Sequence, residues 1–275
     1  MLSNMTDLLL PVLREASRAI LDIYADESRF HTEIKADDSP LTEADKRSNR
    51  IICAALADLF PGVPVISEEL RQAPFELRKD YYEYFLVDPL DGTKEFIKRN
   101  GEFTINIAFL QGHRPVGGYV YVPCTDLAYM AEYGQGAYRM NWSGEQTKLR
   151  SRAFRLTDEG IHVVASRSHR DPLTEKVIGC LQKPQLVSTG SSLKFLLLAE
   201  GSADFYPRFA PTMEWDTAAA QCVLEEAGGQ VIGRDTLLPL IYNKPDLVNP
   251  HFIATGALLD PESLGGLPGI GQNSY

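Results

Sequence analysis

The sequence predicts an α/β protein with α+β character in its N-terminal half. Three observations carry this. Apolar residues recur at helical spacing through about residue 59, an alternating stretch rich in β-formers follows from Phe103 to Met130, and from Ile161 onward strand and helix patterns take turns. A chain of 275 residues suits one or two domains with a large core. Its 44% hydrophobic and 23% charged residues are those of a soluble globular protein. The net charge of −10 argues against a general nucleic-acid binder, whose footprint is basic. Cys53, Cys124, Cys180 and Cys222 are far apart and form no CxxC pair, so they are expected as isolated thiols in a reducing compartment. The N-terminus lacks a basic start, Pro11, Arg14 and Glu15 interrupt its apolar run, and no run is long enough to span a bilayer. The expected location is the cytoplasm.

From about Asp7 to Tyr24, Leu9, Val12, Leu13, Ala16, Ile20 and Ile23 mark one helical face, with Pro11 expected in or near the first turn or at a bend. A polar loop over 36–45 leads into a second helix with Ile51, Ile52, Ala55, Leu56 and Leu59 on its buried face. Thr42 is its expected N-cap, which puts Asp45 in the first turn, where the plain role is interaction with the helix dipole. Val63 to Glu69 reads as a short strand ending in Glu68 and Glu69, acids that are ordinary surface or mark a functional strand end. Residues 70–83 are expected as a surface excursion. Thr104–Phe109 and Gly118–Val122 form an antiparallel hairpin that Leu127–Ala131 extends, and the polar stretch 141–155 marks a boundary.

Ile161–Ala165 is a strand followed by Ser166-Arg167-Ser168-His169-Arg170, a loop able to address a phosphate or simply solvated. A strand over 185–189 enters Gly190-Ser191-Ser192-Leu193-Lys194, a second Gly/Ser turn at a helix start. After a strand over 204–207, Trp215-Asp216-Thr217-Ala218-Ala219 begins a strong helix with Asp216 expected at its N-cap, and 230–232 resumes a strand. The end, 264–271, is expected to be loosely ordered.

The stretch that carries chemistry is Tyr84 to Phe96. A buried strand is expected to end at Asp88, where Pro89 stops ladder pairing, with Asp91 three residues on across a turn. Two carboxylates held close repel unless a cation lies between them, and a hard divalent ion such as magnesium takes such oxygen ligands. Gly92 and Thr93 would offer backbone N–H groups to an anion at a helix start. Asp-Pro-Leu-Asp-Gly is equally a good turn with a capping residue.

Taken together, Ser67-Glu68-Glu69, Asp88-Pro89-Leu90-Asp91-Gly92-Thr93, Trp215-Asp216-Thr217-Ala218-Ala219 and Glu226-Ala227-Gly228-Gly229 resemble the magnesium-dependent, lithium-sensitive phosphatases of the inositol monophosphatase superfamily. The longer run 91–104, Ser166-Arg167-Ser168-His169 and Gly190–Phe195 look like its bacterial 3'(2'),5'-bisphosphate nucleotidase branch. The resemblance implies a layered αβαβα sandwich of two subdomains, 1–155 and 156–275, with the cleft between them. It implies removal of the 3'-phosphate of adenosine 3',5'-bisphosphate to give AMP by direct attack of a metal-activated water. Glu68, Asp88 and the Leu90 carbonyl would hold one Mg2+; Asp88, Asp91 and Asp216 a second. A third, looser ion would involve Glu68 and, through water, Asp45. Asp45 and Thr93, with Glu68, would orient and deprotonate the attacking water. Gly92 and Thr93 would support the transferring phosphate, and Ser166, His169, Gly190 and Lys194 would contact the 5'-phosphate and adenosine, with Arg167 and Arg208 as further candidates. Glu68, Leu90, Asp91 and Asp216 would border the substrate as well as the metals. The partner so implied is a small nucleotide, not nucleic acid. Peripheral association with the cytoplasmic face of the inner membrane, attributed to bacterial members, has no visible basis in this sequence.

Three alternatives stand beside this expectation. Inositol monophosphate or fructose 1,6-bisphosphate could replace the nucleotide. An aspartyl-phosphate mechanism would need acids two residues apart without the intervening proline. A non-catalytic nucleotide-binding protein would not need the full set of acids.

Overall fold

The computed structural model describes residues 5–35, 40–165 and 171–271. The chain opens with α1 (Met5–Tyr24), the short antiparallel ribbon of β1 (Glu33–Ile34) and β2 (Pro40–Leu41), and α2 (Glu43–Leu59). Leu9, Leu13, Ala16 and Ile20 of α1 and Ile52 and Leu56 of α2 are buried together, as their spacing requires. Pro11 lies inside α1, in its second turn, beyond the first turn where its missing N–H is free of cost.

The two helices cover one face of a seven-stranded sheet. Its strands are β3 (Val65–Ser67), β4 (Glu83–Asp91), β5 (Thr104–Gln111), β6 (Arg114–Val122), β7 (Leu127–Glu132), β8 (Gly136–Met140) and β9 (Gln146–Lys148), side by side in chain order. Only the β3–β4 pair is parallel. Short helices α3 (Phe75–Arg78) and α4 (Thr93–Ile97) flank β4. The period-two alternation divides the sheet cleanly: Phe85, Val87, Ile105, Ile107 and Phe109 meet α1 and α2, while Tyr84, Leu86, Ala108, Leu110 and Val120 face the opposite layer.

That layer comes from the second half: β10 (Ala153–Phe154), β11 (His162–Val164), α5 (Pro172–Gly179), β12 (Gln185–Val187), α6 (Leu193–Ala199), β13 (Phe205–Arg208), α7 (Glu214–Glu226), β14 (Gln230–Gly233), β15 (Phe252–Thr255) and β16 (Ala257–Leu258). A five-stranded sheet runs β12-β11-β13-β15-β14. Helices α6 and α7 pack between the two sheets, and α5 with the turn Pro261–Gly266 closes the far face. The order of layers is therefore αβαβα. Helix α7 sits directly on β6, because a Cβ at Gly118 would lie 2.3 Å from the Ala219 carbonyl oxygen. Only glycine lets the helix come down that far.

Four expectations need correcting, and the polar stretch 141–155 holds a strand that its composition did not suggest. Pro89 does not end its strand: β4 shifts register between Asp88 and Asp91 and pairs again at Asp91–Thr104. A bulge accommodates a residue that cannot donate to the ladder. Residues 70–83 are more than a surface excursion, since Arg78 is buried and donates to Asn243 Oδ1 at 2.7 Å. Strand β9 falls within the stretch 141–155, its residues wholly exposed and hence without an apolar signature. Asp216 is the third residue of α7, not its N-cap, which is Met213. The segment 264–271 is packed, with Leu264 and Ile270 buried in the third core cluster.

Candidate active site

The bulge at the end of β4 is what builds the site. Asp88 is buried and its Oδ1 accepts the Leu90 N–H at 3.0 Å. The Ser48 hydroxyl of α2 pins the Pro89 carbonyl at 2.7 Å. Past the bulge, Gly92 takes φ +94°, a left-handed conformation that costs glycine little and lets α4 start at once. Thr93 then donates its hydroxyl to Asp45 Oδ1 at 2.8 Å. The other Asp45 oxygen accepts the Thr42 N–H at 2.8 Å and the Thr42 hydroxyl at 2.5 Å. Asp45 thus caps α2 with one oxygen and addresses the site with the other. Burial pushes its carboxyl up, against the pull of the Thr42 and Thr93 donors.

Glu68 follows β3, its N–H bound to the Val87 carbonyl at 3.1 Å. Lys35 bridges it to Glu69, with Nζ 2.6 Å from Glu68 Oε1 and 2.5 Å from Glu69 Oε1. From the second half, Asp216 Oδ2 accepts the Met213 N–H at 2.8 Å. The Ser192 hydroxyl lies 2.8 Å from Asp91 Oδ2 and 3.0 Å from the Asp216 carbonyl, with one proton for both. Asn106 donates to that hydroxyl at 2.8 Å. Ser192 is therefore the joint between the acids of the two halves. Its position in the Gly/Ser turn is the only hint of this in the sequence.

The acids feel one another. Burial, then the charges of Glu68, Asp91 and Asp216, hold the Asp88 carboxyl well above the usual carboxylate range. Burial and Asp91 do the same to Asp216. Glu68 is raised by burial, with Lys35 pulling it back. As they stand, the described residues contain no group of three or more His, Cys, Asp or Glu arranged to hold a metal ion, since the acids turn to protein donors. The donor set nonetheless fits a hard divalent cation: oxygen ligands only, Asp88 buried and Glu68, Asp91 and Asp216 half-buried, their charges raising the Asp88 pKa, with Asp88 accepting a single hydrogen bond at one oxygen.

Beside the acids a cavity of about 600 Å³ is lined by Asp91, Gly92, Asp216, Gly190, Lys194, Tyr206 and Arg208. Lys194 Nζ donates to the Ser191 carbonyl at 3.0 Å and lies 6.0 Å from the Tyr206 ring centroid. Burial lowers its pKa. Arg208 Nη2 reaches the Pro211 carbonyl at 3.3 Å, while its Nε is buried without a partner among the described residues. The Ser191 hydroxyl, on a residue with φ +43°, is likewise buried and has no partner among the described residues. Unpaired donors of this kind call for an anion or hydroxyl-rich ligand. Gly190 is the contact with the first half: a Cβ there would come 2.7 Å from Glu95 Cγ and 2.8 Å from the Glu102 carbonyl oxygen. Tyr206 has its hydroxyl pushed up to about 12 by burial and stays neutral.

Thus Asp91, Gly92 and Asp216 line the cavity together with Gly190 and Lys194, while Asp88 and Glu68 lie close enough to Asp91 to feel its charge, and Asp45 joins the group through Thr93, next in the chain to Gly92. Ser166, Arg167 and His169 lie outside the described residues. Sequence reasoning did not single out Lys35, Ser191, Ser192 or Tyr206. Among the described residues, no helix is long and apolar enough to cross a membrane.

The profile of the inositol monophosphatase family matches residues 1–260. The chain is 43% identical over 249 residues to 3'(2'),5'-bisphosphate nucleotidase CysQ of Escherichia coli (strain K12), covering 90% of this chain and 98% of that protein. It is 44% identical over 218 residues to the CysQ nucleotidase of Salmonella typhimurium, covering 79% and 86%. The crystal structure of CysQ from Bacteroides thetaiotaomicron, described as a bacterial member of the inositol monophosphatase family, superposes with a TM-score of 0.80 at 40% identity, covering 94% of this chain and 98% of that one.

Proposed function

The chain belongs to the inositol monophosphatase family, whose phosphatases are metal-dependent, typically on Mg2+, and from that premise we propose that it is a 3'(2'),5'-bisphosphate nucleotidase. It removes the 3'-phosphate of adenosine 3',5'-bisphosphate and leaves AMP. The nucleotidases to which it is over 40% identical support the substrate class. One observation on the molecule carries the reading furthest: Asp91 and Asp216, with the buried Asp88 beside them, share the lining of a single cavity with two cationic side chains, Lys194 and Arg208. A substrate with two phosphates matches such a cavity, one group at each wall.

Glu68, Asp88 and the Leu90 carbonyl would hold one Mg2+, and Asp88, Asp91 and Asp216 a second, with a looser third near Glu68 and Asp45. When bound, paired divalent ions activate water and stabilise the leaving oxygen. The protein's own part in proton transfer is the Thr93–Asp45 pair. Thr93 Oγ1 takes a proton from the incoming water and hands its own to Asp45 Oδ1, 2.8 Å away. The raised pKa of Asp45 suits it to receive that proton. The N–H groups of Gly92 and Thr93 support the transferring phosphate. Lys194 and Arg208 hold the 5'-phosphate, joined by Ser166 and His169, and Gly190 leaves room for the nucleoside. We take 1–155 and 156–275 as the two subdomains between which it enters. Inhibition by Li+ and action in the cytoplasm complete the proposal.

A substrate panel tests it. With Mg2+, turnover of adenosine 3',5'-bisphosphate is expected to exceed that of inositol monophosphate and fructose 1,6-bisphosphate by at least about a hundredfold in kcat/KM, the weight of a lost charged contact of about 3 kcal/mol. Preference for either sugar phosphate rejects the nucleotide assignment, and a trapped phosphoenzyme rejects direct attack by water.

A further inference from the structure

Residues 242–249 cross the start of α7 as a strap fixed at both ends. On one side, Arg78 of the first half donates to Asn243 Oδ1 and to the Pro245 carbonyl, each at 2.7 Å. On the other, the fully buried Glu214 accepts the Asn243 N–H at 2.6 Å and the Lys244 N–H at 3.1 Å, and pairs with the Lys244 ammonium. The Glu214 N–H returns a bond to the Leu247 carbonyl at 2.9 Å.

The far end of the strap reaches the peptide that holds Asp216. The Asn249 N–H donates to the Thr212 carbonyl at 2.8 Å. The N–H of that same peptide unit, belonging to Met213, donates to Asp216 Oδ2 at 2.8 Å. The Asn249 side chain holds the next peptide as well, with Nδ2 2.7 Å from the Met213 carbonyl and 2.9 Å from the Thr217 hydroxyl. Nothing among the described residues bonds its buried Oδ1, so the amide is kept there for its donors. A peptide whose carbonyl is engaged is a better donor at its N–H, and here it is also fixed in direction.

We infer that Asn249 is a positioning residue for Asp216. The strap aims the Asp216 carboxylate at the cleft, and with it sets the affinity of the ion that Asp216 would share with Asp91, without touching substrate. This rests on the metal assignment above. A role confined to stability would move the melting temperature and leave ion binding alone.

The test is a Mn2+ titration of the full chain followed by electron paramagnetic resonance, beside Mg2+-dependent kinetics. Asn249→Ala is expected to weaken one of two classes of Mn2+ site about tenfold, as loss of a group that orients a ligand does. The Mg2+ concentration for half-maximal rate should rise by the same factor, while KM for the bisphosphate nucleotide at saturating Mg2+ stays within about twofold. The control is Tyr242→Phe, which removes buried bonds to Gln221 and Thr217 but none to Met213. It should lower the melting temperature and leave both Mn2+ classes unchanged. If Asn249→Ala does not fold, Lys244→Met, at the partly exposed end of the strap, should weaken the same class about threefold, within the usual context spread. Asn249→Ala or Lys244→Met behaving as Tyr242→Phe overturns the inference and leaves the metal assignment standing. A wild-type chain that binds no Mn2+ overturns both.

Discussion

The two walls of the cleft are built differently. The acids Asp88 and Asp91 of the first half stand at the end of a nine-residue strand flanked on both sides by β3 and β5, six of its side chains no more than 2% exposed, and are braced by α2 through Ser48 and Asp45. The cationic wall comes from shorter elements, a three-residue strand, a seven-residue helix and a four-residue strand, with donors at Ser191 and Arg208 that no described residue pairs. A wall that orders reacting charge must hold carboxylates against their mutual repulsion, which takes a rigid frame. A wall that recognises a ligand needs free donors instead. Asp216 belongs to the second half by sequence and, in the function proposed above, to the first wall, and α7, seated on β6 at Gly118, brings it across.

The sharpest break in this comparison is Asp216→Asn. Activity should fall at least about a thousandfold while the chain remains folded, because one half-buried charge among repelling acids is lost. Near-normal turnover would remove Asp216 from the reacting wall. Next in size, Thr93→Ala should lower kcat by about 10²–10⁴, the range for a positioned proton-transfer group, with little change in KM. An effect confined to KM would make the Asp45–Thr93 contact a matter of binding only. On the recognition wall, Lys194→Ala should raise KM for the bisphosphate nucleotide about tenfold to a hundredfold, and far less for a substrate without the 5'-phosphate. Equal effects on both ligands would reject that contact.

The smallest effect is on stability. Asp88 and Asp216 have pKa values raised in the folded chain above the aspartate value of 3.8. A raised folded-state pKa means the proton favours the folded form, so the stabilisation is complete below about pH 4 and is lost as pH climbs through the folded-state values. With chelator present, thermal scans should therefore show stability from these two groups declining as pH rises above about 4, and Mg2+ should reverse the decline. Asp88→Asn should flatten it. A melting temperature in chelator that rises across that range in wild type and variant alike would show the repulsion to be unimportant.

Much of the fold was legible beforehand because its signals are local. The helical spacing of Leu9 to Ile23, the alternation of 104–109 and the apolar run of 84–87 each report burial in a local pattern. Strand β15 was not assigned from the sequence, although it lies between β13 and β14, because Phe252–Thr255 is a short run without flanking periodicity and both its neighbours are distant in the chain. Arg78 read as surface because nothing nearby hints at Asn243, its partner 165 residues on. Pro89 read as a strand end because proline usually is one, and the bulge that absorbs it depends on pairing with Thr104.

The sequence by itself determined the fold class and the family, and through the family the order of layers and the acids proposed for the site, since residue type, spacing and motif order are properties of the chain read in one dimension. Tertiary structure alone decided that Asp45 serves a cap and the site at once, that Ser192 joins Asp91 to the start of α7, and that Lys35 lies between Glu68 and Glu69. The physical reason is that a hydrogen bond or a charge pair acts over about 3 Å, while the residues it joins here stand tens of positions apart, and only packing brings them within that reach.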